Sequence, residues 1–125
     1  MSLILDAGAL IAVERGDRDT AAVIEAARQQ EQRVVFVPAG VVGQVWRGGG
    51  RQARLARLLH ARGVVVEPLT DIGARAAGVL CGSAGTTDVV DASVVLAARR
   101  HRATVVSSDR GDLQILDPRL LLVDC

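Results

Sequence analysis

Residues 2–14, with the sequence SLILDAGALIAVE, hold the pattern that decides the fold: a short apolar run, one acidic residue and a helical stretch. Ser2–Leu5 is a near-continuous apolar run, which is typical of a strand buried on both faces. Ala7–Glu14 has helical spacing and stops near Gly16, so strand passes to helix directly at Asp6. This order predicts an α/β protein with a parallel sheet.

The same alternation of strand and helix runs along the whole chain. We predict strands at Ser2–Leu5, Arg33–Val37, Val64–Glu67, Thr104–Val106 and Leu120–Val123. We predict helices at Ala7–Glu14, Asp17–Gln30, Ala39–Arg47, Gln52–Ala61, Asp71–Leu80, Asp88–Arg102 and Asp109–Leu116, with a loose stretch over 82–87. The pattern predicts a three-layer α/β/α sandwich around a mostly parallel sheet of about five strands. The 125 residues suit a single domain, residues 1–125.

Composition excludes several classes of protein. Half of the residues are hydrophobic and 23% are charged, which excludes a disordered chain. The apolar runs fall far short of the roughly 20 residues that a membrane-spanning helix needs, and no basic region precedes the first run. The two cysteines, Cys81 and Cys125, are too few for a disulfide framework. We therefore expect a cytoplasmic protein with no membrane partner.

Acidic residues follow the predicted strands or begin the predicted helices. Asp6 follows the first strand, and Asp109 follows the fourth, with Asp112 one helical turn further on. Asp88 and Asp91 begin the longest apolar helix, with the same spacing of three residues that places two side chains on one helix face. Ligands of an open parallel sheet bind beyond the carboxyl ends of its strands. These five carboxylates are therefore the candidate site residues.

Two interpretations of these carboxylates remain open. Asp88 and Asp109 are plausible helix N-caps, with Asp91 and Asp112 favoured by the helix dipole. Capping explains Asp6 poorly, because a carboxylate after a buried strand is desolvated and no lysine exists to neutralise it. Several converging carboxylates favour a hard divalent cation, Mg²⁺ or Mn²⁺, which commonly serves phosphate chemistry.

Three stretches in order, residues 6–12 (DAGALIA), 91–98 (DASVVLAA) and 105–113 (VVSSDRGDL), resemble a PIN domain, specifically the VapC toxins of VapBC toxin–antitoxin pairs. The resemblance covers essentially the whole chain. It implies a Mg²⁺-dependent endoribonuclease that hydrolyses RNA phosphodiester bonds, leaving a 5′-phosphate and a 3′-hydroxyl. It also implies neutralisation by a small VapB-like antitoxin, and a homodimer.

The resemblance assigns roles to the acidic residues. Asp6 and Asp91 would be metal ligands, and Asp109 or Asp112 would complete the site; we take Asp109 as the third ligand. Asp88 is less regular in the family, so we rank it as a second-tier site residue, together with Gln44 and Asp112. All four residues Asp6, Asp91, Asp109 and Asp112 are carried as catalytic candidates.

Two positions depart from the family pattern. Gln44 stands where the family usually has a glutamate, which implies weaker metal binding and reduced nuclease activity. Gly8 stands where the family often has a small hydroxyl or amide residue, so a hydrogen bond to the acidic site is expected to be missing. The alternative function is therefore a catalytically weakened PIN-like module that binds RNA or an antitoxin.

The basic residues are all arginine, and the net charge is only +1. Arg47, Arg51 and Arg54 surround the Gly48–Gly50 loop and are the candidate RNA-phosphate contacts, although an ordinary solvated helix face explains them too. Because the chain has no lysine, we disfavour a phospho-acceptor receiver domain, which is similar in length but relies on one. With no tyrosine, one phenylalanine and one tryptophan, a base-stacking platform of aromatic rings is excluded. His60 and His101 are expected on the surface.

Overall fold

The structure is a computed structural model that describes residues 2–125. Its strands are β1 (Leu3–Leu5), β2 (Val35–Pro38), β3 (Val64–Glu67), β4 (Thr104–Ser107) and β5 (Leu122–Asp124). Its helices are α1 (Ala7–Glu14), α2 (Arg18–Arg28), α3 (Ala39–Val45), α4 (Ala53–Leu59), α5 (Asp71–Ala84), α6 (Val89–His101) and α7 (Arg110–Leu116), and a 3₁₀ turn spans Gly50–Gln52. Every predicted strand and helix is present within a few residues of its expected position.

The five strands form one sheet in the order β3-β2-β1-β4-β5, and every neighbouring pair is parallel. The chain therefore builds outward from β1 to β3 and then returns to place β4 on the opposite side of β1. The direction of strand progression reverses between β1 and β4. Such a switch point leaves a crevice beyond the carboxyl ends of the two strands, where open α/β sheets bind their ligands.

Helices cover both faces of the sheet and make the predicted three-layer fold. Helix α6 crosses β1, β2 and β4 on one face, beside α5 and α7, while α1, α2 and α4 contact strands from the other face. The central strands are largely buried because both faces are covered; Ile4, Leu5, Val35, Val37 and Val105 have no exposed surface. Helix α3 contacts both α1 and α6, so it joins the two layers at the carboxyl edge.

Helix α5 is longer than predicted, because the expected loose stretch from residue 82 begins as helix and ends only at Gly85. Gly85 adopts the left-handed conformation (φ +73°) that terminates helices and favours glycine. Burial of Cys81 holds the last turn in place, and its thiol donates a 3.4 Å hydrogen bond to the Asp88 carbonyl. Within residues 2–125 no single helix is long and apolar enough to span a membrane. Helices α5 and α6 reach that length and composition only as a pair, which is bent by 107°.

Candidate active site

Asp6 lies at the carboxyl end of β1 and is the N-cap residue of α1. It is buried, with 2% of its surface exposed. Its Oδ1 accepts a 2.8 Å hydrogen bond from the Ala7 N–H, and its Oδ2 accepts one of 2.8 Å from the Ser107 hydroxyl. Burial raises the pKa of Asp6 despite these hydrogen bonds, and the charges of Asp109 and Asp88 raise it further. Asp6 is therefore a desolvated carboxyl group on which the negative charges of other carboxylates act.

Ser107 joins the ends of the two strands at the switch point, and the sequence analysis did not single it out. The register pairs Leu5 with Val106, so Asp6 and Ser107 follow at equivalent positions. Ser107 has no exposed surface, and its Oγ accepts a 2.9 Å hydrogen bond from the Asp109 N–H while donating to Asp6. One hydroxyl thus fixes both acidic residues. The available signal was a hydroxyl residue directly after an apolar strand.

We expect Ser107→Ala to lower the free energy of unfolding by about 1–3 kcal/mol, because it leaves a buried carboxylate oxygen and a backbone N–H without their partner. Urea denaturation at neutral pH measures the change. Ser108→Ala is the matched control, since the neighbouring serine is exposed. An equal effect of the two substitutions would show that the hydroxyl does not organise the strand ends.

Asp88 and Asp91 lie in the first turn of α6. The Oδ1 of Asp88 accepts a 2.9 Å hydrogen bond from the Asp91 N–H, so Asp88 is a helix cap, as the capping interpretation proposed. Asp91 is half-buried, and burial followed by the charges of Asp88, Asp6 and Asp109 raises its pKa to about 7. Asp91 therefore retains a proton over much of the acidic pH range, as expected of carboxylates that share one region.

Asp109 and Asp112 lie at the start of α7, and the charge of Asp109 acts on the other acids. Asp109 is the N-cap residue of α7 by position, yet its carboxylate makes no capping hydrogen bond. Its charge acts on both Asp6 and Asp91. Asp112 is exposed in the first turn of α7 and is not among the charges that raise the pKa values of Asp6 and Asp91. The fold therefore brings Asp6, Asp88, Asp91 and Asp109 together electrostatically.

The donor set has the chemistry of a hard-cation site. Carboxylate oxygens with raised pKa values suit Mg²⁺ or Mn²⁺, since a divalent cation offsets their mutual repulsion. Over the described residues 2–125, no three histidine, cysteine, aspartate or glutamate side chains converge closely enough to hold an ion as they stand. The site thus has the right ligand chemistry, and the carboxylates would need side-chain rotation to close around a cation.

Gln44 and Gly8 are the two positions where the family pattern is broken. Gln44 is exposed on α3, one turn after Gly40, and a Cβ built on Gly40 would lie 3.2 Å from Val90. That turn of α3 therefore packs beside the start of α6. Gly8 leaves room for Ser108, because a Cβ built there would stand 2.8 Å from the Ser108 Cβ. The hydroxyl bonded to Asp6 comes from β4, through Ser107, rather than from position 8.

The three predicted RNA-binding arginines are exposed around the loop between α3 and α4. Arg47 donates from Nη1 to the carbonyls of Trp46 (2.7 Å) and Gly43 (3.2 Å) at the end of α3. Arg54 donates a 3.4 Å hydrogen bond to the Glu14 carbonyl, at the end of α1 far from Asp6. Arg51 lies in the 3₁₀ turn. Their role in binding RNA stays a prediction.

The family model that matches the chain is the PIN domain, over residues 3–116. A VapBC2 complex of Rickettsia felis bound to a promoter DNA fragment has a TM-score of 0.70 and 14% identity, over 100% of this chain and 99% of the other. A toxin–antitoxin complex of Klebsiella pneumoniae has a TM-score of 0.69 and 17% identity, over 97% of this chain and 95% of the other. FitAcB of Neisseria gonorrhoeae has a TM-score of 0.61 and 15% identity, over 96% of this chain and 95% of the other. At these identities the likeness concerns the fold.

No curated protein matches the chain in sequence. The family model nevertheless spans nearly all of the sheet and helices that build the acidic site. The chain therefore belongs to the PIN domain family.

Proposed function

We propose that the protein is a VapC-like toxin of a toxin–antitoxin pair, a metal-dependent endoribonuclease that acts in the cytoplasm. The observation that carries this proposal is the group of four carboxylates at the switch point, Asp6, Asp88, Asp91 and Asp109, with the pKa of Asp91 raised to about 7. PIN domains are generally nucleases, which supports the same activity.

Asp6, Asp91 and Asp109 would hold Mg²⁺ or Mn²⁺, with Asp88 and Gln44 beside them. The bound cation would supply the activation of water and the stabilisation of negative charge that phosphodiester hydrolysis requires. Ser107 keeps the Asp6 carboxylate in one orientation through its 2.8 Å hydrogen bond. Asp88 caps α6 and so fixes the first turn that carries Asp91. These two positioning contacts limit the rearrangement needed to assemble the site.

A cleavage assay on the purified chain tests this function directly. We expect single-stranded RNA to be cut in the presence of Mg²⁺ or Mn²⁺ and to remain intact with EDTA. The products should carry a 5′-phosphate and a 3′-hydroxyl. If RNA binds but is not cut under any of these metal conditions, the weakened binding module becomes the better description. That alternative rests on Gln44, which replaces a charged ligand with a neutral one.

We also propose two protein partners, a VapB-like antitoxin and a second copy of this chain. An acidic site attracts a basic side chain from a partner, which supports an antitoxin segment over the carboxylates. An apolar face around α5 supports the homodimer; Leu69, Ile72 and Val79 are exposed there. Co-expression with a small gene product encoded next to this chain should raise its solubility and suppress its toxicity.

Gln44→Glu should tighten Mn²⁺ binding by roughly tenfold, because it adds an anionic oxygen at nearly constant volume on the turn of α3 that packs beside α6. Calorimetric titration with Mn²⁺ measures the dissociation constant, and RNA cleavage should rise in parallel. Gln30→Glu is the matched control, an equal change of charge at an exposed position after α2. An equal gain in both variants would place Gln44 outside the metal site.

A further inference from the structure

Trp46 is an exposed aromatic residue on a loop that the proposed mechanism does not use. It is the C-cap residue of α3, and 40% of its surface is exposed. Among residues 2–125 the ring stacking observed is between Phe36 and His101, so the Trp46 ring has no aromatic partner there. The exposed part of the indole is therefore available to an aromatic ligand.

The loop that carries Trp46 is held in one conformation by a buried amide. Gln52 is 4% exposed, and its Oε1 accepts hydrogen bonds from the N–H groups of Arg47 (2.9 Å) and Gly48 (3.0 Å). Its Nε2 donates a 2.9 Å hydrogen bond to the Val45 carbonyl. These three bonds lie on either side of Trp46 along the chain. The tryptophan is therefore presented from a fixed backbone, which lowers the entropy cost of using it for binding.

Charge is strongly segregated along the sequence in the segment that contains this loop. Residues 38–66 contain five arginines and no acidic residue, a net charge of +5, whereas the rest of the chain carries −4. Arg47 and Arg51 flank the glycines that follow Trp46. Arg47 uses one nitrogen on the α3 carbonyls and keeps further N–H donors, since a guanidinium has five. Such a surface fits a polyanion and repels a basic partner.

We propose that Trp46 stacks on a base of single-stranded RNA, while Arg47 and Arg51 contact the flanking phosphates. Aromatic stacking combined with basic side chains is how proteins hold unpaired nucleic acid. Composition excludes a row of aromatic rings, but one ring suffices for one base. This inference rests on the proposed function, because it makes Trp46 a positioning residue for the RNA that the acidic site would cleave.

The position of Trp46 along α3 agrees with this role. Gly40 packs against Val90, the neighbour of Asp91, and Trp46 follows six residues later, a rise of about 9 Å along a helix. A base held at Trp46 would thus lie near the acidic site rather than on it. Stacking there would set which phosphodiester bond of the strand enters the site.

Trp46 is the only tryptophan, and the chain has no tyrosine, so intrinsic fluorescence reports on this one side chain. The experiment titrates an Asp6→Asn chain, in EDTA, with a mixed-sequence single-stranded RNA of about 12 nucleotides, within the site sizes of such binders. We expect saturable quenching that weakens with added salt. Labelled-RNA anisotropy in the same background should show about tenfold weaker binding for Trp46→Ala and near-parental binding for Trp46→Phe.

Leu121→Ala is the matched control, an exposed apolar side chain before β5 at the opposite edge of the sheet. It should leave RNA affinity unchanged. The inference would be overturned if RNA caused no quenching, or if Trp46→Ala and Leu121→Ala bound RNA with equal affinity. It would also be overturned if Trp46→Ala impaired only antitoxin binding or self-association. If the inference is overturned but the parental chain still cleaves RNA, the proposed function stands without a role for Trp46. Quenching without cleavage by the parental chain would retain the inference and reject the nuclease activity.

Discussion

Asp6→Asn is expected to slow RNA cleavage by at least about 100-fold, because it removes the charge of a buried carboxylate at the centre of the acidic group. The asparagine keeps nearly the same shape; its carbonyl oxygen can accept from the Ala7 N–H while its amide NH2 donates to the Ser107 Oγ, so the fold should survive. Cleavage under single-turnover conditions with Mn²⁺ measures the loss. Circular dichroism and the melting temperature establish that the variant is folded.

The companion variants separate the two acids of α7. Asp109→Asn should lose activity to a similar degree, since its charge acts on both Asp6 and Asp91. Asp112→Asn should retain most of the activity, as an exposed residue outside that group. The antitoxin complex should persist in Asp6→Asn, because a partner covers more surface than one carboxylate. A fully active Asp6→Asn chain would refute the assignment of the site.

Asp91→Asn is expected to stabilise the metal-free protein at and above pH 7. The pKa of Asp91 is about 7 in the folded chain against an ordinary value of 3.8 for this carboxyl group, a difference worth about 4 kcal/mol at full effect. Asp91 is only partly buried, so solvent screening reduces the expected gain to about 1–2 kcal/mol. Urea denaturation in EDTA measures it.

The direction of the pH dependence follows from proton uptake. Between about pH 4 and pH 7 the folded chain retains a proton on Asp91 that the unfolded chain has lost. The free energy of unfolding of the parental chain therefore falls as pH rises through this window and levels off above it. Asp91→Asn should flatten that fall. A parental chain whose stability is unchanged between pH 4 and pH 7 would contradict the raised pKa.

A divalent cation should reverse this loss of stability in the parental chain. At a free Mn²⁺ concentration ten times the dissociation constant, binding to the folded state adds about 1.4 kcal/mol, or about 4–6 °C in melting temperature. Asp91→Asn should show a smaller shift, because it lacks one of the ligands. NaCl at matched ionic strength controls for general screening of charge.

The local pattern of apolar and polar residues was enough to predict most of the secondary structure. The near-continuous apolar runs predicted buried parallel strands because only a sheet covered on both faces can bury every side chain of a strand. Helix α5 was predicted four residues too short, because Gly82 and Ser83 are typical of a loop. The last turn of α5 is held by the buried Cys81, whose thiol bonds to the Asp88 carbonyl before α6, and this contact is not visible in the sequence. His101 was expected on the surface, but it is half-buried and stacks on Phe36 at 3.7 Å, with its Nε2 2.9 Å from the Glu67 carboxylate.

By itself the sequence determined the order of strands and helices, the α/β fold class and the placement of Asp6 at a strand end, because each depends on residues close along the chain. Only the tertiary structure decided that β4 lies beside β1, which brings Ser107 and Asp109 to Asp6 from a hundred residues away. It also brought the charge of Asp109 to act on Asp6 and Asp91, and decided that the buried Gln52 holds the Trp46 loop. Strand order and burial are set by packing between distant segments, and hydrophobic periodicity carries no information about which segments meet.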